Sequence, residues 1–460
     1  MENQEYSVGL DIGTTKIVAI VGRRNAHGKI EVLGVGKAKS LGVHKGIVNN
    51  ISQTINSIKA AVSEAQSSAG VPIRKVTVGI AGKHIRSLQH SDYIMREHPD
   101  KFITDDDIEA LKDQVKKLVM LPGEEIIHVL PQEYKVDSEG EIQEPIGMHG
   151  KRLEANFHVV VGQMGSIRNI ARCVREAGLE MEALTLEPLA SSESVLTKEE
   201  KEAGVAIVDI GGGTTDIAIF KDNIIRHTCV IPYGGGIITE DIKEGCSIIE
   251  KHAEQLKVKF GSAVPELEKD STYVTIPGLH GRPDKEISLK TLAQIINARV
   301  EEILEMVNTE LKAYGAFEQK KKLIAGIVLT GGGSNLKHLR QLANYTTGFD
   351  SRIGFANEYI ANDKNQYLKG PEFATSIGLL MESLKIRDKK QNTVTEEPVQ
   401  EKPQQETAPV SAETPRQTQQ AAPAPEQQQA GSEQQENKKA KLTFGQSLME
   451  KVKKFFEEVE

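Results

Sequence analysis

Short apolar runs alternate with helical patterns over residues 1 to about 387. The strand-like runs lie at 8–10, 76–80, 157–161, 205–209 and 324–329. One helical pattern runs from 289 to about 314, where the apolar side chains recur every three or four residues along one face. Its apolar positions are Leu289, Leu292, Ile296, Val300, Ile303, Val307 and Leu311. Elements mixed in this way predict an α/β fold in which helices cover the sheets.

The hydrophobic pattern stops near Asp388. From there to about Asn437 the chain consists mainly of Gln, Glu, Pro, Ala, Ser and Thr, with four Lys/Arg against nine Asp/Glu. Such a segment cannot bury enough apolar surface to offset the entropy lost on ordering. Residues 388–437 are therefore predicted to be a disordered, acidic linker, which as a flexible coil would span roughly 40 Å.

An amphipathic pattern returns at the C-terminus, in residues 438–460. The spacing of its large apolar residues gives one helical stripe, and six Lys stand against four Glu. We predict a short helix that lies in a membrane interface, with Leu448, Lys451, Val452, Lys454, Phe455 and Phe456 as the contact residues. Packing of this helix back on the core and binding to a partner helix are the alternatives. The acids at 457, 458 and 460 must face water in the membrane interpretation.

Composition excludes several classes of protein. No apolar run of the 460 residues is long enough to span a bilayer, and the N-terminus lacks the apolar core of a secretory signal. The net charge of −8 argues against a nucleic-acid partner. The cysteines (Cys173, Cys229, Cys246) are scattered without a CxxC motif. We therefore expect a reduced cytosolic protein without a disulfide framework or a zinc site.

Two segments of the chain resemble each other. Residues 10–20 read LDIGTTKIVAI, and residues 208–219 read VDIGGGTTDIAI. Their aspartates, Asp11 and Asp209, lie 198 positions apart, about half of the folded part. The repeat predicts two similar lobes, each beginning with a β-hairpin.

The turn of each hairpin suits a phosphate. Glycine lets the backbone approach a ligand closely, successive N–H groups converge on an anion, and Thr hydroxyls add donors. An Asp at each strand end can hold a hydrated Mg²⁺ that bridges to phosphate oxygens. Two facing hairpins would clamp a polyphosphate between the lobes, although either turn alone could be merely a Gly- and Thr-rich loop. No Walker A motif occurs.

Two further glycine clusters follow strand-like segments. One is TGGGSN at 330–335, where Ser334 is expected to cap a helix over 336–342; the other is YGGG at 233–236. A helix that begins behind such glycines can bind a nucleotide at its N-terminus.

Five motifs in this order resemble the actin, Hsp70 and sugar-kinase ATPase superfamily. The two hairpin turns resemble its phosphate motifs, and TGGGSN resembles its adenosine motif. EPLA at 187–190 and FATSIG at 373–378 resemble its two interlobe connections. Glu254 and Lys257 match the pair that brackets the adenosine. The resemblance implies a two-lobed fold that binds ATP and Mg²⁺.

Within this superfamily the chain resembles the FtsA family of bacterial cell-division proteins. The opening YSVGLDIGTTKIVAIVG, an extra segment at about 83–163 and the tail that ends in an amphipathic helix carry this resemblance. It implies a peripheral protein at the cytoplasmic face of the membrane, at the division septum. The implied partners are the C-terminal peptide of FtsZ, further copies of itself in a filament, anionic lipid and other division proteins.

The resemblance also implies roles for individual residues. Asp11 and Asp209 would orient Mg²⁺ through waters, and Glu187 would position an attacking water. A helix-start carboxylate is the alternative for Glu187, and a solvated lysine the alternative for Lys16. The cofactor-binding residues would be Gly13, Thr14, Thr15, Lys16, Gly211, Gly212, Gly213, Thr214, Thr215, Gly235, Gly236, Glu254, Lys257, Gly331, Gly332 and Gly333. At most slow ATP hydrolysis is expected.

The predicted organisation follows from these motifs. Lobe 1 would comprise 1–82, 164–203 and 371–387, with an inserted subdomain at 83–163; lobe 2 would comprise 204–370, with a smaller subdomain at about 237–310. The linker and the tail helix would follow at 388–437 and 438–460.

Other members of the superfamily are alternatives. The cytoplasmic actin-like component of type IV pilus machines also has the extra subdomain but lacks a long tail with a terminal amphipathic helix. An Hsp70 chaperone needs a β-domain that residues 388–460 cannot form. A sugar kinase needs a sugar pocket with a base, for which the sequence offers no evidence.

Overall fold

The computed structural model describes residues 6–278, 283–356, 359–361 and 366–395. The chain divides into the units Met1–Glu397 and Pro398–Glu460, and the described residues all belong to the first. The membrane-contact residues predicted at 448–456 lie outside the described residues. Within the described ranges no helix is both long and apolar enough to cross a membrane.

The strands of the described residues are β1 Ser7–Ile12, β2 Lys16–Arg24, β3 Ile30–Lys39, β4 Val43–His44, β5 Ile47–Val48, β6 Lys75–Ile80, β7 Ile85–Met95, β8 Glu124–Val136, β9 Glu139–Ile142, β10 Arg152–Gln163, β11 Glu180–Leu186, β12 Val205–Ile210, β13 Thr215–Lys221, β14 Ile224–Ile231, β15 Tyr273–Ile276, β16 Lys285–Ser288, β17 Ile327–Thr330 and β18 Ser351–Ile353. The α-helices are α1 Ile51–Ala69, α2 Asp105–Lys116, α3 Met164–Glu176, α4 Glu187–Val195, α5 Lys198–Ala203, α6 Gly235–Cys246, α7 Glu250–Phe260, α8 Leu289–Tyr314, α9 Leu339–Thr347 and α10 Ala374–Thr395.

Two five-stranded sheets have the same topology. The first has the order β3-β2-β1-β6-β11 and the second the order β14-β13-β12-β17-β18. In each sheet three consecutive antiparallel strands are followed by two parallel strands. The repeat in the sequence is therefore a repeat in topology, and the predicted two-lobed α/β class is confirmed.

An inserted domain interrupts the first lobe. Its four-stranded sheet has the order β7-β10-β8-β9, and α2 covers one face. Its core contains the buried side chains of Ile103, Leu111, Leu153 and Phe157. Since this core is separate from those of the two five-stranded sheets, the insert packs as a unit of its own.

Helices α4 and α10 connect the lobes and cross each other closely. A Cβ built on Gly378 of α10 would lie 1.9 Å from the backbone oxygen of Ala190 in α4. The Ser194 hydroxyl also donates to the backbone oxygen of Ala374, at 2.7 Å. Gly378 thus permits the close crossing, because any side chain at this position would force the two helices apart.

Some local predictions agree with the structure and others do not. The helix predicted from 289 begins at Leu289 and ends at Tyr314, as expected. The helix expected over 336–342 is wrong: Gly332–Asn335 forms a single 3₁₀ turn, and α9 begins at Leu339. Helix α10 also continues past the predicted start of the linker at Asp388, where Arg24 pairs with the Asp388 carboxylate at 2.9 Å. The predicted limits of the lobes and subdomains stay predictions.

Candidate functional site

The two hairpin turns face each other at close range between the lobes. A Cβ built on Gly212 would lie 2.3 Å from Cγ2 of Thr15, and one built on Gly213 would lie 2.5 Å from Oγ1 of Thr14. The backbone of the second turn therefore packs directly on the threonines of the first. A side chain at either glycine would separate the turns.

The hairpins present their aspartates at equivalent places. Asp11 lies on β1 and Asp209 on β12, each one residue pair before the turn. Ser376 donates to Oδ2 of Asp11 at 2.9 Å. Asp209 Oδ2 accepts from Ser191 at 2.6 Å and from Thr375 at 3.0 Å. Both carboxylates are thus oriented by hydroxyls of the connecting helices.

A small polar cavity of about 90 Å³ lies between the turns. Five acidic residues line it, Asp11, Glu187, Asp209, Asp216 and Glu372, and Lys16 is the cation among its lining residues. Burial, and then the neighbouring carboxylates, raise the pKa of Glu187 well above its ordinary value. Burial also raises the pKa of Asp11 and of Asp209 and lowers the pKa of Lys16. Without a further cation this excess of acid favours proton uptake.

Asp216 shows the deficit of positive charge most clearly. Its Oδ2 accepts from Thr214 at 2.8 Å, whereas its buried Oδ1 has no hydrogen-bond partner among the described residues. Burial and then the nearby Asp209 raise the pKa of Asp216 to about 8. A bound cation with its waters would satisfy this oxygen and restore the ionised carboxylate.

The spacing of these acids suits indirect coordination. In the described part of the chain, no three of these carboxylates bring ligand atoms within 4.8 Å of one another. Mg²⁺ usually keeps several waters and takes the rest of its ligands from one or two carboxylates and from phosphate oxygens. The donor set therefore fits a hydrated Mg²⁺ that is completed by a phosphate ligand.

A larger cavity of about 360 Å³ adjoins the polar one. Both cavities are bordered by Thr15, Lys16, Gly211, Gly212 and Gly332. One compartment is small and acidic, and the other is wide enough for a ring system. Side by side they offer the shape of a site for a nucleoside polyphosphate.

The wall formed by α6 is tied to the second turn. The N–H groups of Gly235 and Gly236 donate to the carbonyls of Gly211 and Gly212, at 2.8 and 2.7 Å. These first donors of α6 are therefore used inside the protein. The two glycines can line the larger cavity, but they cannot offer these N–H groups to a phosphate.

Lys257 and Glu254, both on α7, border the larger cavity together. The Lys257 ammonium lies 2.7 Å from the carboxylate of Glu254 and donates to the Gly235 carbonyl and the Thr239 hydroxyl, also at 2.7 Å. These bonds fix the ammonium at the edge of the cavity. The pair can therefore present a positioned cation and an acceptor to a bound ligand.

The third glycine cluster supports Asp209 from behind. Gly331 has a φ of +81°, and a Cβ there would lie 2.2 Å from Oδ1 of Asp209. Gly332 and Gly333 border the larger cavity. The residues of this turn therefore pack against the Asp209 carboxylate and also form a wall of the larger cavity.

Comparison with known proteins decides the family. A model of the family described as "Cell division protein FtsA" matches residues 206–378, and one described as "SHS2 domain inserted in FTSA" matches residues 82–161. The cell division protein FtsA of Pseudomonas aeruginosa is 41% identical over 385 residues, which cover 84% of this chain and 90% of that protein. The chain belongs to the FtsA family. FtsA of Escherichia coli K12 is 35% identical over 382 residues, covering 82% of this chain and 90% of that protein.

A solved structure agrees with the fold of this FtsA-family chain. The PilM-PilN type IV pilus biogenesis complex contains a chain that is similar with a TM-score of 0.60 and 17% sequence identity. The similarity covers 82% of this chain and 98% of that chain. At this identity it supports the fold alone.

The structure of this FtsA-family member brings the predicted site residues together, with one exception. Asp11, Glu187, Asp209 and every predicted cofactor-binding residue except Thr215 border one of the two cavities. Thr215 is buried, and its hydroxyl donates to the backbone oxygen of Tyr233 at 2.8 Å. Thr215 points away from the cavities because alternate residues of β13 face opposite sides of the sheet. Glu187 both begins α4 and borders the acidic cavity.

Several residues of the site have no role in the sequence prediction. They are Ser191, Thr375 and Ser376, which hold the aspartates, together with Asp216 and Glu372, which border the cavities. The motif of the second connection, FATSIG, includes Thr375 and Ser376, and DIGGGTTD ends in Asp216. Their partners become visible only in three dimensions, because 166 to 365 positions separate Thr375 and Ser376 from the aspartates they contact.

Proposed function

We propose that this FtsA-family protein binds ATP with Mg²⁺ between its lobes, assembles into actin-like filaments, and tethers the FtsZ ring to the cytoplasmic membrane through its C-terminal segment. The observation that carries the nucleotide part is the contact of the two glycine turns, Gly212 on Thr15 and Gly213 on Thr14, beside a pocket lined by five acidic residues. The membrane part rests on the apolar stripe in residues 438–460.

In this proposal the phosphates lie in the acidic cavity and the adenosine lies in the larger one. Asp11 and Asp209 hold waters of the Mg²⁺, and the N–H groups and hydroxyls of the facing turns contact the phosphates. Lys16 adds positive charge, although its ammonium also donates to the backbone oxygen of Glu372 and lies 4.5 Å from the centre of the Phe373 ring. Because these contacts restrain the ammonium, Lys16 would act as a fixed positive charge.

Glu187 is the candidate for positioning a water. It borders the acidic cavity, and its raised pKa favours the protonated form until a cation arrives. Water positioning and charge stabilisation are most of what phosphoryl transfer requires from a protein. We propose slow hydrolysis that acts as a switch for assembly.

Equilibrium dialysis tests the nucleotide part. The full chain should retain ATP in the presence of Mg²⁺, and Asp11→Asn and Asp209→Asn should each weaken retention in a Mg²⁺-dependent way. Lys29→Ala, on an exposed turn, is the matched control and should bind as the unchanged protein does. Absence of retained adenine nucleotide at millimolar ligand would overturn the assignment of this site.

Cosedimentation with vesicles tests the membrane part. Each large apolar side chain that is fully buried contributes about 1.5–3 kcal/mol, so loss of two should weaken binding by at least about 100-fold. Phe455→Ser with Phe456→Ser should therefore abolish sedimentation with anionic vesicles, as should deletion of 442–460. Glu457→Gln with Glu458→Gln is the control, and it should bind at least as well because it removes charges that anionic lipid repels.

ATP and vesicles together test assembly. A single tail should bind lipid reversibly, whereas a filament would present many tails at once. Mg²⁺-ATP should therefore increase the sedimented fraction of the full chain and have a smaller effect on the deletion variant. Equal sedimentation with and without ATP would argue against nucleotide-dependent assembly.

The partner at the ring is proposed to be the C-terminal peptide of FtsZ. The family suggests the smaller subdomain of lobe 2, roughly 237–310, as its binding place. An open groove in this region is bordered by Asp241, Gly245, Ile295 and Arg299. A peptide titration followed by amide shifts should localise to this groove, and shifts confined to lobe 1 would contradict the proposal.

The pilus component is the alternative member of the superfamily. The chain resembles a protein of the PilM-PilN complex at 17% identity, far below its identity with FtsA proteins. Membrane binding that depends on residues 442–460 would favour the division role. Membrane binding that requires an added inner-membrane partner and ignores this tail would favour the alternative.

A further inference from the structure

A cluster of three potential metal ligands lies in lobe 2, formed by residues outside both cavities. His227 and Cys229 lie two positions apart on β14, so their side chains leave the same face of the sheet. Glu310 lies on α8, which packs over this face. One ligand atom of each residue falls within 4.8 Å of the other two. The expectation of no zinc site rested on local spacing, which does not include Glu310 because it lies 83 positions from His227.

One pair of ligand atoms in the cluster already has the spacing expected around a zinc ion. Zinc lies about 2.0–2.3 Å from nitrogen, oxygen and sulfur ligands, which puts neighbouring ligand atoms about 3.3–3.6 Å apart. Nε2 of His227 lies 3.2 Å from Oε2 of Glu310. The ligand atom of Cys229 lies within 4.8 Å of one from each of the other two residues, so a zinc site requires it to approach by up to about 1 Å.

Charge and access also suit a divalent ion. A thiolate, a carboxylate and a neutral imidazole carry two negative charges, which one divalent cation neutralises. The cluster is partly exposed to solvent, because the side chain of His227 is 29% exposed and that of Glu310 is 32% exposed. His227 also borders an open groove beside Arg226 and Tyr314, which gives an ion a path from solvent.

We propose that His227, Cys229 and Glu310 form a zinc site, in which a water completes the tetrahedron on the side of the groove. Binding forms the zinc–sulfur bond and releases the thiol proton to solvent. The ion joins the edge strand β14 to the long helix α8. The simpler alternative is that no metal binds and Glu310 only accepts hydrogen bonds from the imidazole and the thiol. The test must distinguish this arrangement from the zinc site.

Cobalt absorption and zinc titration test the proposal on the full chain after treatment with a chelator. Co²⁺ should give a thiolate-to-cobalt absorption band that one equivalent of Zn²⁺ removes, and zinc should raise the unfolding temperature. Cys229→Ser should abolish the band and weaken zinc binding more than about 100-fold, since even supporting residues are worth about 10–100-fold. Cys246→Ser, another thiol of the same lobe, is the matched control and should change neither result.

Other outcomes would overturn the proposal. They are a chain that takes up less than half an equivalent of zinc, a band that persists in Cys229→Ser, and a band that Cys246→Ser removes equally. Glu310→Gln provides a second variant if Cys229→Ser does not fold, because it keeps the shape of the side chain and removes its charge. ATP retention serves as the check of folding, since none of the three ligands borders the nucleotide cavities.

Discussion

Replacement of Gly331 by Ala tests how the third glycine cluster supports the carboxylate of Asp209. Gly331 has a φ of +81°, which an L-residue adopts only at a cost of about 1–2 kcal/mol. The new Cβ would also lie 2.2 Å from Oδ1 of Asp209 and 2.6 Å from the backbone oxygen of Ile210. Relief of this overlap requires the carboxylate or the turn to move by about 1 Å, and overpacking of this kind costs about 1–3 kcal/mol.

Gly348 separates the two contributions. Its φ of +73° is nearly the same, and nothing lies within 4 Å of a Cβ built on it. Gly348→Ala should therefore destabilise the protein by the backbone strain alone, about 1–2 kcal/mol. Gly331→Ala should destabilise it by about 2–5 kcal/mol, the sum of strain and overlap.

Urea unfolding and ATP titration measure the two effects. Gly331→Ala should lower the unfolding midpoint more than Gly348→Ala and should weaken Mg²⁺-ATP binding by about 5- to 100-fold, because Asp209 loses its position. Gly348→Ala should bind ATP as before. Equal destabilisation by the two variants, or unchanged ATP affinity in Gly331→Ala, would refute the proposed link between this glycine and the carboxylate.

Three further predictions concern charge in the described part of the chain. The folded pKa of Asp216 is raised from 3.8 to about 8, so the nucleotide-free protein should lose stability as pH rises through this window. In Asp216→Asn the midpoint of urea unfolding should therefore change less with pH. Burial lowers the pKa of His128 from 6.5 to about 4, so the stability of the protein should fall as pH drops from 6.5 towards 4. His128→Gln keeps an acceptor for the Leu186 N–H and should reduce this loss, measured as the free energy of unfolding against pH. An unchanged slope of that free energy against pH would contradict the assignment. Lys257→Met keeps the aliphatic stem but loses the bond to the Gly235 carbonyl, and calorimetry should show ATP binding weaker by about 10-fold; equal affinity would remove Lys257 from the site.

Much of the fold could be predicted because its signals are local and repeated. The helix Leu289–Tyr314 has an apolar side chain at every turn and is capped by Gly315, whose φ is +88°. The repeated DIG turns predicted the two hairpins and, through their separation, the two lobes. The helix expected directly after Ser334 was wrong because that hydroxyl donates to the Gly331 carbonyl, at 2.7 Å, within the 3₁₀ turn. A local bond of this kind competes with a helix cap and leaves no separate mark in the sequence.

The site was only partly predictable, because its glycines carry a local signal and its supporting groups do not. A run of glycines indicates close backbone approach wherever it occurs. The partners of Asp11 and Asp209 come from helices far along the chain, and the sequence gives no measure of which hydroxyl will reach which carboxylate. The direction of Thr215 likewise depends on the register of β13, which a shift of one residue would reverse.

Under the proposed function, the connections between the lobes would link a bound nucleotide to the angle between the two halves. Helices α4 and α10 cross where Gly378 lies against Ala190, and the same helices donate the hydroxyls that orient both aspartates. A cation bound near Asp11 and Asp209, as proposed, would act on the crossing through these short hydrogen bonds. A ligand shifts an equilibrium between conformations only by its differential affinity for them. Under the proposal, that difference would arise because the present lobe angle lets both sets of hydroxyls hold the aspartates beside the cation, whereas a wider angle would lengthen at least one of these contacts.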